Sequence, residues 1–191
     1  MAGLILASAS PRRLSLLEQI HIKPDDVCPA DIDEETVGKE LPKDYVKRIA
    51  MGKAKAISKT NQNKFILAAD TTVACGRRIL PKAEDIDTAL NCLKLLSGRR
   101  HRVLGGICLI SPKGQTIYKL SETVVKFKNL SKSDIDAYLE SNEWHGKAGG
   151  YAIQGLAASY ISYIRGSYSN VVGLDLHITA QILKGNGYVG N

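Results

Sequence analysis

The chain of 191 residues contains no long hydrophobic run. No segment approaches the ~18 consecutive apolar residues that a membrane-spanning helix needs. The N-terminus also lacks the basic region followed by an apolar stretch that marks a secretory signal. These absences argue against an embedded or secreted protein, and we expect a cytoplasmic protein with no membrane partner.

The chain also lacks a cysteine pattern typical of a metal site or a disulfide framework. Its four cysteines, Cys28, Cys75, Cys92 and Cys108, are far apart, and none belongs to a Cys-x-x-Cys motif or lies at zinc-ligand spacing with a histidine. Three of them fall within apolar runs or helical patterns, which favours reduced thiols in a core. Reduced thiols are in turn typical of the cytosol.

Internal repeats, low-complexity tracts and obvious linkers are absent, as are the glycine-rich motifs GxGxxG and Walker A after a strand. The length suits one domain, or two closely joined lobes, spanning residues 1–191. The net charge of +7 and the pI near 9.2 indicate an anionic partner. Charge alone does not distinguish a nucleotide from a nucleic acid or a membrane surface.

The chain begins with a pattern that predicts a strand, a tight turn and a helix. A short apolar run at 4–7 precedes Ser10, a favourable N-cap residue, and Pro11, which suits the first helical position. Arg12 and Arg13 then place two positive charges at a helix N-terminus, where the backbone dipole already attracts anions. This arrangement indicates a phosphate site, although two solvated arginines would give the same pattern.

An acidic run at 31–35, DIDEE, precedes a long helix predicted over 41–59. Acidic loops commonly do no more than face water. Lys53 lies on the apolar face of the helix, four residues from both Ile49 and Ile57. Its amine either extends past the apolar stripe to water or enters an anion site, and the sequence leaves both alternatives open.

Asp70 directly follows a continuous apolar run at 65–69, which is typical of a strand buried on both faces. A carboxylate at the end of a buried strand is costly unless it is paired, hydrogen-bonded or bound to a metal. In open α/β sheets that end is also where ligands collect. We therefore predict a functional role for Asp70, the alternative being a residue that caps a turn.

The remaining chain predicts a mixed architecture. Helices alternate with strands in the first half, and hairpin-like strands dominate the second. The predicted elements are a basic loop or short hairpin at 77–82, helices at 84–96, 131–141 and 174–183, strands at 101–110, 116–127 and 151–164, and a polar loop at 165–170. The expected fold is α/β, with a mixed, strongly twisted central sheet flanked by helices and two lobes separated by a cleft.

The combination of two arginines, an acidic loop, a lysine in an apolar stripe and an aspartate suits triphosphate hydrolysis. Carboxylates can hold a divalent cation and position or deprotonate a water, while arginine and lysine neutralise the phosphates. Oxygen ligands without a Cys/His cluster favour magnesium or a related hard cation. Spacing alone does not establish that these side chains converge.

Several long motifs, in order, resemble the Maf family of nucleotide pyrophosphatases from Leu4 to about Leu183. They are ASASPRR at 7–13, DIDEE at 31–35, RIAMGKA at 48–54, AADTTV at 68–73, SGRRHRVLGG at 97–106, GKAGGYAIQG at 146–155 and GSYSNVVGL at 166–174. The chain departs from the family pattern in ILPKA at 79–83, the segment that contains Lys82, and at Ser169 and Asp175.

The resemblance implies cleavage of a nucleoside triphosphate between its α and β phosphates, giving a monophosphate and pyrophosphate. It implies that Asp70 accepts the proton of the attacking water, and that Glu34 and Asp70 hold Mg²⁺ or Mn²⁺, with Glu35 as the alternative to Glu34. The substrate-binding positions it implies are Ser8, Arg12, Arg13, Lys53, Thr71, Lys82 and Gln154.

The same resemblance points to the branch that acts on dTTP and UTP. That branch carries an arginine directly after the proline, here Arg12, with Thr71 after the aspartate and Gln154 in YAIQG. The Gln154 amide can donate to and accept from a pyrimidine edge, which matches uracil or thymine.

The alternative is a non-catalytic nucleotide or nucleic-acid binder acting in cell-division control. A nucleic-acid binder is expected to interleave exposed aromatic residues with a basic stripe. Instead, Tyr151, Tyr160 and Tyr163 fall in a predicted strand section. We therefore expect an enzyme with a nucleotide substrate and no stable nucleic-acid partner, and a homodimer by analogy only.

Overall fold

The computed structural model describes residues 2–189. Its strands are β1 (Leu4–Leu6), β2 (Asp26–Val27), β3 (Phe65–Cys75), β4 (Arg78–Leu80), β5 (Lys82–Ala83), β6 (Arg100–Ile110), β7 (Thr116–Phe127), β8 (Lys147–Ala148) and β9 (Ile161–Arg165). Its α-helices are α1 (Pro11–Gln19), α2 (Pro42–Ser58), α3 (Ile86–Leu96), α4 (Lys132–Glu140), α5 (Tyr168–Val172) and α6 (Leu176–Gly185), and a 3₁₀ helix spans Leu156–Tyr160.

The main sheet within residues 2–189 has seven strands, and their direction is mixed, as the sequence predicts. Its order is β2-β1-β3-β6-β7-β9, and β4 pairs with β3. β1 runs parallel to β2 and β3, whereas β4 is antiparallel to β3 and β9 is antiparallel to β7. β5 and β8 form a separate two-stranded sheet.

The chain divides into two compact units. The first contains the described residues up to Asp70, together with Gly105–Ser121 and the described residues from Gly173 onward. The second contains Thr71–Leu104 and Glu122–Val172. The predicted α/β class with a mixed sheet and helices is confirmed, and the cleft expected between two lobes stays a prediction.

The core of the first unit forms between β1 and the apolar face of α2. All of Leu4–Leu6 are fully buried, as are Val46, Ile49 and Ala50 of α2. β6 approaches this helix closely, since a Cβ placed on Gly106 would lie 2.6 Å from the Val46 carbonyl oxygen. The periodicity that predicted α2 therefore reflects its packing, and Pro42 occupies the first turn.

The second unit contains a buried aromatic cluster with one histidine. The rings of His101, Phe127 and Tyr151 pack edge to face, with centroids 4.9 to 5.4 Å apart. A ring nitrogen of His101, Nε2, lies 2.7 Å from the Tyr151 hydroxyl. Burial lowers the pKa of His101 to about 4, so the imidazole is neutral at physiological pH.

The prediction that Asp70 ends its strand is wrong. β3 continues through Asp70 to Cys75, and its last three residues pair with β4. Thr71, Thr72 and Val73 are β-branched and favour extended backbone, which explains the continuation. Asp70 is therefore an interior residue of a long strand.

The prediction of a strand section over 151–164 is mostly wrong. Only Ile161–Arg165 is a strand, and Leu156–Tyr160 forms the 3₁₀ helix. Gly155, at φ +134°, interrupts any continuous strand. The polar loop predicted at 165–170 contains the start of α5.

Other local predictions are confirmed. The 77–82 segment contains β4, which forms a hairpin with the end of β3. The helix predicted at 131–141 is α4, and Ser131 and Asp134 form both bonds of a capping box at its start. The four cysteines are free thiols, of which Cys92 and Cys108 are buried. Within residues 2–189, no helix has the length and apolar character required to cross a bilayer.

Candidate active site

The first part of the site is the turn between β1 and α1. Pro11 opens the helix as predicted, and Ser10 has extended backbone at the N-cap, but the Ser10 side chain makes no capping hydrogen bond. The Ser8 hydroxyl instead accepts a hydrogen bond from the Ser10 backbone N–H at 3.2 Å. Ser8 is itself 4% exposed, so the turn folds inward on a buried hydroxyl.

Arg13 anchors this turn from inside the protein. Its Nη1 donates to the Ser8 hydroxyl at 2.9 Å, and its Nε donates to the Gly173 carbonyl at 2.9 Å. The residue is 9% exposed, so the interpretation of a solvated arginine is wrong for Arg13. Burial lowers the pKa of Arg13, while the negative charges of Asp70 and Glu34 oppose that shift. Arg13 is therefore a buried positive charge that two hydrogen bonds hold in place.

Arg12 is half-buried on the same helical turn. Burial lowers the pKa of Arg12, and the positive charge of Arg12 in turn lowers the pKa of Arg13. Two positive charges at a helix N-terminus, where the dipole already disfavours them, are stabilised when an anion binds beside them.

Lys53 joins two carboxylates from distant segments. Its Nζ lies 2.7 Å from Glu34 Oε1 and 2.9 Å from Asp70 Oδ1. The Lys53 side chain is 9% exposed and that of Asp70 is 7% exposed. The interpretation in which the amine extends to water is therefore wrong, and the charge of a buried strand aspartate is balanced by a direct ion pair.

The acidic run contributes Glu34 to this cluster. The Glu34 side chain is partly exposed and reaches Lys53, whereas Glu35 is an exposed residue. The Glu35 backbone N–H donates to Asp33 Oδ1 at 2.8 Å, and its carbonyl accepts from Arg48. Of the two alternatives in the sequence, the structure brings Glu34 to Lys53 and Asp70.

Two α2 residues that sequence reasoning missed also contact the acidic run. The Tyr45 hydroxyl donates to the Glu34 carbonyl at 2.9 Å, and Arg48 Nη2 donates to the Glu35 carbonyl at 2.7 Å. Burial, followed by the charges of Asp70 and Glu34, raises the pKa of Tyr45 to about 12, which keeps the hydroxyl protonated. The available signal was their helical spacing, because positions 45 and 48 share a face.

The donor set near Lys53 fits a hard divalent cation. Within the described chain, no group of three or more His, Cys, Asp or Glu side chains is arranged to hold a metal by itself. Glu34 and Asp70 nevertheless converge on one point, each with a carboxylate oxygen within 3 Å of the same nitrogen. Mg²⁺ is commonly held by one or two carboxylates and completed by substrate phosphates and water, so these two residues fit it.

Three of the predicted substrate-binding residues belong to the second unit. Thr71 is half-buried in β3, directly after Asp70. Lys82 is exposed in β5 and pairs with Ala148 of β8, so its backbone is held by a strand despite the unusual ILPKA sequence. Gln154 is exposed and precedes Gly155.

Comparisons with known proteins identify a family and similar relatives. Residues 3–186 match the family model described as Maf-like protein. The dTTP/UTP pyrophosphatase of Paramagnetospirillum magneticum is 60% identical over 188 residues, which cover 98% of this chain and 99% of that protein. The dTTP/UTP pyrophosphatase of Mesorhizobium japonicum is 54% identical over 191 residues, covering 97% of this chain and 92% of that protein.

A solved structure supports the fold. The Ham1 protein of Staphylococcus aureus superposes with a TM-score of 0.53 and 16% sequence identity, covering 95% of this chain and 98% of that one. At this identity the likeness concerns the architecture alone. It agrees with the mixed sheet and flanking helices described above.

Proposed function

This chain belongs to the Maf family, and from that premise we propose that it is a nucleoside triphosphate pyrophosphatase that hydrolyses dTTP and UTP. The products are the nucleoside monophosphate and pyrophosphate. The activity and the pyrimidine substrates are supported by two dTTP/UTP pyrophosphatases that are 60% and 54% identical to this chain.

The observation that carries the proposal is the convergence of Glu34 and Asp70 on Lys53, with Arg13 held nearby. In the proposed reaction, a water oxygen attacks the α-phosphorus and the bond from that phosphorus to the α–β bridging oxygen breaks. Asp70 accepts the proton of the water, and pyrophosphate leaves with the bridging oxygen. A buried carboxylate in a fixed strand is suited to this role because its position costs no reorganisation during the reaction.

The proposed role of the cations is to stabilise charge on the triphosphate. Arg12 and Arg13 lie at the start of α1, where the helix dipole adds to their attraction for phosphate. The buried Arg13 is fixed by Ser8 and Gly173, so it presents its charge without a large loss of side-chain entropy. Lys53 and Lys82 complete the set of phosphate-binding cations.

Glu34 and Asp70 are the residues that would hold Mg²⁺ or Mn²⁺. The bound cation would supply charge neutralisation on the phosphate oxygens. Lys53 keeps the two carboxylates together in the absence of that charge, because a single ammonium group pairs with both. The site is therefore preorganised for a cation by a residue of the chain itself.

Base recognition is assigned to Gln154 and Thr71. The amide of Gln154 offers both a donor and an acceptor, which complements N3–H and a neighbouring carbonyl of uracil or thymine. Its exposure leaves the amide available to a ligand.

The test is incubation of the pure protein with a panel of nucleoside triphosphates and Mg²⁺, followed by identification of the products. We expect pyrophosphate and monophosphate, with dTTP and UTP turned over fastest. The Asp70→Asn variant is expected to lose about 100-fold or more in kcat while keeping its fold by circular dichroism, since general-base catalysis contributes at least that much. Orthophosphate with a diphosphate, or an Asp70→Asn variant as fast as the parent, would contradict the proposal.

A further inference from the structure

The acidic loop, defined here as residues 31–40, contains no helix or strand. Glu34 therefore reaches the site from a segment that the sheet does not hold. The loop's own bonds are local: the Glu35 N–H donates to Asp33, and the Val37 N–H donates to Glu40. Neither bond fixes the loop relative to Lys53 and Asp70.

One face of α2 supplies the fixed contacts. Tyr45, Arg48 and Gly52 follow one another at intervals of three and four residues, so they lie along one side of the helix. The Tyr45 hydroxyl donates to the Glu34 carbonyl at 2.9 Å. At the other end of this face, a Cβ on Gly52 would meet Ile32 Cδ1 at 3.1 Å, so Ile32 packs directly over Gly52.

Arg48 joins two points of the loop at once. Its Nη2 donates to the Glu35 carbonyl at 2.7 Å, and its guanidinium also pairs with the Glu40 carboxylate through Nε at 3.1 Å and through Nη2. The same guanidinium lies over the Tyr45 ring, 5.4 Å from its centroid. Tyr45 and Arg48 thus form one connected support for the consecutive carbonyls of Glu34 and Glu35.

We propose that Tyr45 and Arg48 are positioning residues for the reaction, which hold the backbone of the acidic loop so that the Glu34 carboxylate lies at Lys53 and Asp70. The catalytic part of this inference rests on the proposed function. The Tyr45 hydroxyl holds the Glu34 carbonyl and the Arg48 guanidinium holds the Glu35 carbonyl, while Lys53 pairs with the Glu34 carboxylate. Glu34 acts through its carboxylate, so loss of the support is equivalent to partial loss of Glu34.

The test combines a structural and a catalytic measurement on Tyr45→Phe, with Tyr188→Phe as the matched control. Tyr188 packs edge-on against Phe65 of β3, with 5.5 Å between the ring centroids. In the substrate-free protein, amide hydrogen exchange across residues 31–40 is expected to accelerate in Tyr45→Phe and to stay unchanged in Tyr188→Phe. Unchanged exchange in Tyr45→Phe overturns the inference.

The catalytic measurement is a double-mutant cycle with Glu34→Gln. Tyr45→Phe is expected to lower kcat/KM for dTTP about fivefold, the scale of one hydrogen bond, and to have no further effect when Glu34 is already glutamine. Equal losses in both backgrounds would mean that Tyr45 acts independently of Glu34 and would overturn the inference. Arg48→Lys, which keeps the charge but not the forked geometry, is expected to fall between the parent and Arg48→Ala.

The two measurements separate this inference from the proposed function. If the parent protein hydrolyses no nucleoside triphosphate, the proposed function fails, and the exchange of residues 31–40 alone decides whether Tyr45 and Arg48 hold the loop. If the parent is active and the cycle is additive, the function stands and the positioning role fails.

Discussion

At the scale of single residues, Lys53 explains how two carboxylates coexist in a poorly hydrated part of the first unit. Its nitrogen contacts Glu34 and Asp70 at 2.7 and 2.9 Å, and the side chains of Lys53 and Asp70 are almost completely buried. Removing one partner of a buried ion pair leaves the other charge uncompensated, which costs more than the pair itself contributed. The ammonium group therefore matters to stability as well as to the chemistry.

We predict that Lys53→Met lowers the free energy of unfolding by about 3 kcal/mol, because Asp70 and Glu34 then lose the ammonium group that pairs with both of them. Millimolar Mg²⁺ is expected to restore part of the loss. Urea unfolding with and without Mg²⁺ measures both effects. Lys128→Met is the control, since it removes an exposed pair with Asp134 that contributes about 1 kcal/mol at most. Equal, small losses in the two variants would refute this account of Lys53.

The burial of His101 predicts how the stability of the protein depends on pH. Its folded-state pKa of about 4 lies below the ordinary value of 6.5. Between these two pH values, the unfolded chain binds a proton on this residue and the folded protein does not. The contribution of His101 to the free energy of unfolding is therefore complete above pH 6.5 and is lost as the pH falls from 6.5 towards 4. Between pH 7.5 and pH 5 this residue contributes a loss of about 2 kcal/mol.

The glutamine of the His101→Gln variant cannot titrate. From pH 7.5 to pH 5, the free energy of unfolding of this variant is therefore expected to fall by about 2 kcal/mol less than that of the parent. Urea unfolding at pH 7.5 and pH 5 provides the comparison. A parent-like pH dependence in His101→Gln would show that another group is responsible.

At the scale of elements, α2 contributes both to the core and to the support of the acidic loop. One face packs Val46, Ile49 and Ala50 into the core, and another supports the acidic loop through Tyr45 and Arg48. The core contact is close, because Gly106 of β6 has no space for a methyl group beside Val46 and Ala50. The position of Lys53 relative to Asp70 therefore depends on how tightly the helix lies on the sheet.

Gly106→Ala is expected to destabilise the protein by about 1–3 kcal/mol, since the added Cβ would lie 2.6 Å from the Val46 carbonyl and force the helix outward. Gly185→Ala, at the end of α6 in open space, is the control and should be neutral or slightly stabilising. Thermal unfolding of both variants measures the difference. A Gly106→Ala protein as stable as the parent would mean that α2 shifts without cost.

Sequence patterns predicted elements well where local and tertiary preferences agree. α2 follows from Pro42 and a helical apolar stripe, and the long strands β6 and β7 follow from continuous β-favouring runs on either side of a turn. The sequence prediction ended β3 too early because Asp70 interrupts the apolar run of this strand. The ion pair that makes a charge acceptable inside that strand comes from Lys53, which periodicity does not reveal.

The residues of the candidate site could be predicted from the sequence, but their arrangement in space could not. Glu34, Lys53 and Asp70 meet through the parallel pairing of β1 with β3 and the packing of α2, which are long-range events. Tyr45 and Arg48 were not selected from the sequence, although Arg48 begins the RIAMGKA motif, because the groups that they contact are backbone carbonyls, which the sequence does not mark. The segment before Ile161 was misjudged because Gly155 has a backbone conformation that alternation of side chains cannot report.

At the scale of the whole molecule, the chain combines two compact units with a net charge of +7. Ser8, Arg12, Arg13, Glu34, Lys53 and Asp70 belong to the first unit, and Thr71, Lys82 and Gln154 to the second. The positive charge favours encounter with a triphosphate, in line with the proposed substrate. The roles proposed for the two sets differ, since the first acts on phosphate and water and the second includes the residues assigned to the base.

The proposed site directs water onto the α-phosphorus of a pyrimidine nucleoside triphosphate. Hydrolysis of dTTP in water enriched in ¹⁸O, with mass analysis of both products, identifies the phosphorus atom that the water attacks. We predict that the label enters the monophosphate and that pyrophosphate carries none. Label in pyrophosphate, which attack on the β-phosphorus would produce, would contradict the account.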